Sequence, residues 1–294
     1  MIEIGEAPVT VTGGALTAQA EINGRRVRMI VDTGSISTLL FRDSAEQLGL
    51  PLHTEIGLKV SGGGPPVTES AEVETLQVGT LVSKNVNLVV TGRNPGSHGQ
   101  GLVGADLLLQ ADVEVDVPEG KVRFFKPVNC AGDQVVYWGA AYAVSPMLGA
   151  AGGRVEVMVS LNGAKVRALL DTGVGSSVVG SAAAARAGVA PAPRAVSASD
   201  SPQAGQGDVG VVPTFAFGDE TIHNARLEIA SLFGEGQDAD ANLAGPGAGG
   251  AQMLLGADFF RSHRVYIARS QRKVYVTYIG GPVFATTPAP AATP

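Results

Sequence analysis

A mostly β fold in two lobes related by a pseudo-two-fold axis is what this sequence predicts, on three observations. The first is an internal repeat: the stretch from Ile22 to Gly34 aligns without a gap to that from Leu161 to Gly173, matching Asn23-Gly24 to Asn162-Gly163 and Asp32-Thr33-Gly34 to Asp171-Thr172-Gly173. The second is the turn chemistry. Asn-Gly between alternating apolar runs is the strongest short-range sign of a β-hairpin, because both central residues must accept positive φ. The third is that the register persists well past the hairpin, which local composition does not produce.

Taken in order, each copy opens with a hairpin whose second strand ends at Asp-Thr-Gly. A short helix-compatible stretch follows, Asp43 to Leu48 and Ser181 to Ala187, closed by Gly49 and Gly188 and then by Pro51 and Pro191, the usual stop order. Next comes a Leu-Val-Gly or Leu-Leu-Gly element, Leu102-Val103-Gly104 and Leu254-Leu255-Gly256, expected to pack behind the turn. Asp106 and Asp258, two residues beyond each glycine, are expected as helix caps. Lys121 and Lys273, each fifteen residues further, open the last strand of their copies. Asp32 to Asp106 is 74 positions and Asp171 to Asp258 is 87, so the second copy carries extra residues. These fall in the Gly/Ala/Asp-rich stretch 234–252, expected as a surface loop. The expected organisation is a lobe over 1–126, a partly ordered connector over 127–153 anchored by Trp138, a second lobe over 154–281 and a disordered tail over 282–294.

Composition narrows the function. A chain of 294 residues is long enough for about two domains, and 45% hydrophobic against 16% charged residues suits a globular body. The formal charge of −6 and the lack of basic clusters interleaved with aromatics argue against a nucleic acid or anionic membrane partner. No apolar run approaches the roughly 18–20 residues of a spanning helix, so no membrane insertion is expected. The start lacks the order of a secretion signal, so the chain reads as soluble, and cytoplasmic unless an export signal has been removed. The single Cys130 excludes an intrachain disulfide, and the four histidines are isolated in sequence. Asp238 to Asn242 imitates the start of a calcium loop, but Leu243 stands where that loop needs glycine. No metal and no cofactor are expected, and there is neither a Gly-x-Ser-x-Gly elbow nor a phosphate-binding loop.

The chemistry resides in the paired turns. If the copies meet face to face, Asp32 and Asp171 lie together, and two such carboxyls share one proton because both cannot ionise cheaply. The ionised member can take a proton from a bound water while the protonated one donates to a carbonyl oxygen. Thr33 and Thr172 are placed to tie the turns across the interface. Gly34 and Gly173 let the backbone pass close to the carboxyls. Ser35 follows the first triplet and Val174 the second, so a hydroxyl contact from Ser35 is expected to bias Asp32 toward the ionised role.

On Asp32-Thr33-Gly34-Ser35, Asp171-Thr172-Gly173 and the two apolar-apolar-Gly elements, the sequence resembles the pepsin and retropepsin clan of aspartic peptidases. It is most similar to bacterial retropepsin-like proteins, with two lobes fused in one chain. The resemblance implies an acid-protease fold in which each lobe is a closed, β-barrel-like unit, with a cleft between lobes and endopeptidase activity on extended peptide or protein substrates. It implies catalytic roles for Asp32 and Asp171, supported by Thr33, Gly34, Ser35, Thr172 and Gly173. Substrate-covering flaps would fall at Gly62, Gly63 and Gly64 and at Gly205 and Gly207; the first lacks the tyrosine of pepsin-like enzymes. Since one chain supplies both carboxyls, a monomer is expected. The rival reading is a peptide-binding scaffold that keeps the fold without turnover.

Overall fold

The computed structural model describes residues 1–54, 69–94, 96, 98–128, 130, 135–139, 141–149, 153–192, 208–232 and 250–284. The first lobe runs β1 (Ile2–Thr12), β2 (Ala15–Ile22), β3 (Arg25–Val31), β4 (Leu39–Phe41), α1 (Arg42–Gln47), β5 (Leu52–Thr54), β6 (Glu69–Val78), β7 (Leu81–Thr91), β8 (Gly101–Val103), α2 (Ala105–Leu108), β9 (Asp112–Asp116) and β10 (Lys121–Lys126). The second follows the same plan: β11 (Ala143–Leu148), β12 (Glu156–Leu161), β13 (Ala164–Leu170), β14 (Val178–Gly180), α3 (Ser181–Arg186), β15 (Asp208–Phe217), β16 (Glu220–Ala230), β17 (Met253–Leu255), α4 (Ala257–Phe260), β18 (His263–Ala268) and β19 (Lys273–Tyr278).

Pairing closes each lobe on itself. In the first, β2 joins β3, β3 joins β8, β8 joins β4, β4 joins β7, β7 joins β6 and β6 returns to β2. In the second, β12, β13, β17, β14, β16 and β15 repeat that ring. Closure leaves no open edge in the ring. The Asn-Gly turns sit where the sequence puts them, with φ of 50° and 76° at Asn23 and Gly24 and 49° and 85° at Asn162 and Gly163. Inside the rings, alternate residues such as Ile22, Met29 and Leu76, or Leu161, Phe215 and Phe217, are buried.

A third, all-antiparallel sheet joins the lobes in the order β1-β10-β9-β18-β19-β11. The pseudo-two-fold axis passes between β9 and β18, so each lobe supplies half of this sheet. Buried Glu114 and Asp116 on β9 face Arg123 and Arg264, and Arg264 lies 5.2 Å over the Trp138 ring. Trp138 Nε1 donates to Thr277 Oγ1 at 3.0 Å, which makes the connector's anchor a contact with the shared sheet.

Two boundaries differ from the sequence expectation. Residues 143–148, placed in the connector, form β11, the edge strand of the interlobe sheet. Pro146 is tolerated there because at an edge a missing N–H costs no ladder bond. Phe284, placed in a disordered tail, is buried against Phe215 and Phe259, so apolar burial extends order to this residue. Most of the 234–252 insertion and the rest of the tail lie outside the described residues.

Candidate active site

β3 and β13 each end on an aspartate because a parallel neighbour holds the strand to its last residue. The Asp32 amide donates to the Val103 carbonyl at 3.0 Å and the Asp171 amide to the Leu255 carbonyl at 2.9 Å. The chain then turns under Gly104 and Gly256, while Ala105 N–H returns to Ser35 O and Ala257 N–H to Val174 O, both at 2.8 Å. The Leu-Val-Gly and Leu-Leu-Gly elements thus pack behind the turns as expected.

Across the lobe boundary the two threonines are reciprocal. Thr33 Oγ1 donates to the Leu170 carbonyl at 2.8 Å and accepts from the Thr172 amide at 3.2 Å. Thr172 Oγ1 donates to the Val31 carbonyl at 2.6 Å and accepts from the Thr33 amide at 3.1 Å. Both residues are buried, so these bonds act without competition from water. They bring the two turns together so that each carboxyl stands against the other turn's glycine and acts on the other's titration. The glycines make that approach feasible. A Cβ on Gly34 would stand 2.5 Å from Asp171 Oδ2, and one on Gly173 would stand 2.6 Å from Asp32 Oδ2.

This geometry, two Asp-Thr-Gly turns interlocked on a pseudo-two-fold, agrees with the comparisons. The Aspartyl protease family profile matches the chain twice, over residues 18–107 and 157–259. The chain belongs to the aspartyl protease family. Each match lies in one lobe and contains one Asp-Thr-Gly turn. Among solved structures, the aspartic proteinase from Irpex lacteus superposes with a TM-score of 0.59 at 12% identity, over 93% of this chain and 97% of that one, and so shares the fold. No curated protein sequence matches the chain.

The two carboxyls of this aspartyl protease family member are not equivalent. Burial raises the pKa of Asp32, but the Ser35 amide, the hydrogen bond from Asp171, the Gly34 amide and the charge of Arg154 pull it back. Asp171, only 8% exposed, is pushed well above the usual carboxylate range, first by burial and then by the charge and hydrogen bond of Asp32. Two carboxyls so buried and so close share one proton between them, and the upward push is the stronger on Asp171. The hydroxyl contact expected from Ser35 to Asp32 is not made. Ser35 Oγ donates to the Ser37 carbonyl at 2.9 Å, and it is the Ser35 backbone N–H that donates to Asp32 Oδ1, also at 2.9 Å. The Val174 amide acts on Asp171 as the Ser35 amide does on Asp32, so the backbone donors do not separate the two, and Asp171 is raised further by its deeper burial and by the charge of Asp32.

Asp106 and Asp258 do not take the N-cap positions expected of them, although each accepts a first-turn amide of its helix, from Leu107 at 2.9 Å and Phe259 at 2.8 Å. Gly104 and Gly256 occupy the N-cap positions, and the aspartates sit inside the first turn. Asp106 accepts from the Thr38 amide at 2.9 Å and its hydroxyl at 2.6 Å; Asp258 accepts the same pair from Ser177 at 2.9 and 2.6 Å. Each hydroxyl in turn accepts from the glycine amide, Gly104 at 3.0 Å and Gly256 at 2.9 Å. Each network clamps the loop that follows its Asp-Thr-Gly turn. Thr38 and Ser177 went unrecognised in the sequence, although a hydroxyl six residues after each aspartate was a visible part of the repeat.

Gly62, Gly63, Gly64, Gly205 and Gly207 lie outside the described residues. Described pairings flank them: Leu52–Thr54 with β6, and Ala192 with Val209. Among the described residues, no group of three His, Cys, Asp or Glu is placed to hold a metal, and no helix is long and apolar enough to cross a membrane.

Proposed function

We propose that this protein is an aspartic endopeptidase that hydrolyses peptide bonds of extended polypeptides with a water activated between Asp32 and Asp171. The observation that carries the reading is the juxtaposition of one buried carboxyl from each lobe, held by the reciprocal bonds of the threonine grip. Ionised Asp32 takes a proton from water as its oxygen attacks the amide carbon, and Asp171 gives its proton to the carbonyl oxygen. Collapse of the tetrahedral species breaks the C–N bond, the nitrogen receives the proton held by Asp32, and the hydroxyl proton returns to Asp171. A substrate would lie between the lobes as an extended strand, bound by its main chain and by pockets for alternate side chains. One chain holds the complete pair, so specific activity should not depend on protein concentration.

The test is cleavage of a peptide library followed by mass spectrometry across acid and neutral pH, with Asp32→Asn and Asp171→Asn as controls. Cleavage by the wild type and its loss in both variants supports the reading. Peptide binding with no cleavage at any pH would instead make this a scaffold. Tight binding of a statine-type transition-state mimic, reduced in both variants, is the second expected result.

A further inference from the structure

Beside the aspartate pair lies a buried cation that the repeat does not duplicate. In the β12–β13 ladder Glu156 stands opposite Leu169, and one step on the Leu170 amide donates to the Val155 carbonyl at 3.0 Å. The same count sets Arg154 opposite Asp171, where directly paired side chains leave from one face with Cβ atoms about 4.5–5.5 Å apart. In the first lobe Thr17 stands opposite Ile30, and the equivalent count sets Ala15 opposite Asp32. The charge is therefore one-sided.

Arg154 is 5% exposed, and a guanidinium out of water requires compensation. Glu156, two residues along the strand and so on the same face, is 2% exposed. Arg167 on β13 holds Glu156 in turn, with Nε at 3.0 Å and Nη2 at 2.6 Å from Oε2. Charges of alternating sign thus run from Arg167 through Glu156 and Arg154 to the pair. Among the described residues, the titratable groups acting on Arg154 are Glu156 on β12, Asp171 just after β13 and Asp32 just after β3.

We infer that Arg154 is a positioning residue for the reaction proposed above, its charge holding the buried aspartate pair singly ionised in acid, with Glu156 and Arg167 setting how much of that charge the pair receives. Without the cation, burial favours two neutral carboxyls and removes the base that takes the water's proton. The same charge also favours the second ionisation, so it moves both limbs of the pH profile toward acid. The inference rests on the peptidase reading, and one of its tests does not.

The experiment compares full-length wild type, Arg154→Met, Arg154→Lys and Glu156→Gln by two readouts: the pH profile of kcat/KM on a peptide found in the library, and carboxyl titration by NMR with carbon-13-labelled aspartate, which requires no turnover. Arg154→Met should raise the acidic limb and the matching carboxyl titration by about one pH unit, the lower end for an opposite charge at such range. That is about a tenfold loss of kcat/KM on the acid side. Arg154→Lys should titrate near the wild type, and Glu156→Gln should move the limb the other way, toward lower pH. An equal loss at every pH in Arg154→Met with an unmoved titration overturns the inference. If Arg154→Met does not fold, Glu156→Gln decides, and an unshifted titration there is equally fatal. A wild type that cleaves nothing, while its carboxyls still respond to these substitutions, ends the peptidase reading and leaves the electrostatic role of Arg154 standing.

Discussion

Thr33→Val replaces one hydroxyl by a methyl of nearly the same shape at the lobe boundary. In the wild type that hydroxyl donates to Leu170 O at 2.8 Å and accepts from Thr172 N–H at 3.2 Å, and Thr33 itself is 1% exposed. The substitution leaves a buried carbonyl and a buried amide each short of this bond. Such orphaned groups cost about 1–3 kcal/mol apiece, so the pair costs about 2–6 kcal/mol. For a chain of a few hundred residues each kcal/mol is worth about 2–4 °C, and a fall in Tm of about 4–24 °C follows. Calorimetry on wild type, Thr33→Val and Thr33→Ser measures it, the serine keeping both bonds and therefore most of the stability. Peptidase activity should fall in Thr33→Val even well below its melt, since the two carboxyls depend on the grip for their alignment. A Thr33→Val protein that melts with the wild type would show that the cross-lobe bonds do not hold the lobes together.

Three further outcomes are expected. Gly34→Ala and Gly173→Ala should each lower kcat/KM by about a hundredfold or more, because the new Cβ forces the opposite carboxyl out of place and misplacement of about 1 Å at a reacting centre costs on that order; near-wild-type kinetics in either would contradict the close approach. The kcat/KM profile of the wild type should be bell-shaped with its basic limb well above the usual carboxylate range, since Asp171 must keep a proton that burial and Asp32 help it hold; a plateau showing no basic limb would count against Asp171 as the acid. Asp171→Asn should be more stable than wild type at pH 7. A carboxyl whose pKa is raised on folding contributes stability that is present below its unfolded pKa and lost as pH rises through its folded pKa. The advantage of Asp171→Asn should therefore shrink as pH falls from 7 toward the unfolded pKa of about 4 and be smallest below it, and thermal melts at pH 7 and near pH 4 check the sign.

The lobes are near copies in fold and unlike copies in charge. Asp106 is exposed whereas its counterpart Asp258 is buried, with its pKa raised by that burial against the hydrogen bonds of Ser177. Ala15 faces Asp32 where Arg154 faces Asp171. A symmetric pair of aspartates would share its proton equally, and these departures from the repeat remove that symmetry.

Much of this was legible from residue order alone. The Asn-Gly turns, the gapless match through Asp-Thr-Gly, the helix stops and the apolar-apolar-Gly elements specify two like lobes, because turn chemistry and strand periodicity are local properties written in adjacent residues. The two aspartates and two threonines were evident for the same reason: the duplication sets them in register. Tertiary structure alone decided what depends on distance across the chain. It moved Asp106 and Asp258 from the N-cap into the first turn, where they also clamp Thr38 and Ser177, gave the Ser35 hydroxyl to a carbonyl rather than to Asp32, drew 143–148 and Phe284 into ordered packing, and set Arg154 beside the pair. Burial and charge coupling are sums over neighbours brought together by folding, so the difference between Asp32 and Asp171 exists only once the lobes have met.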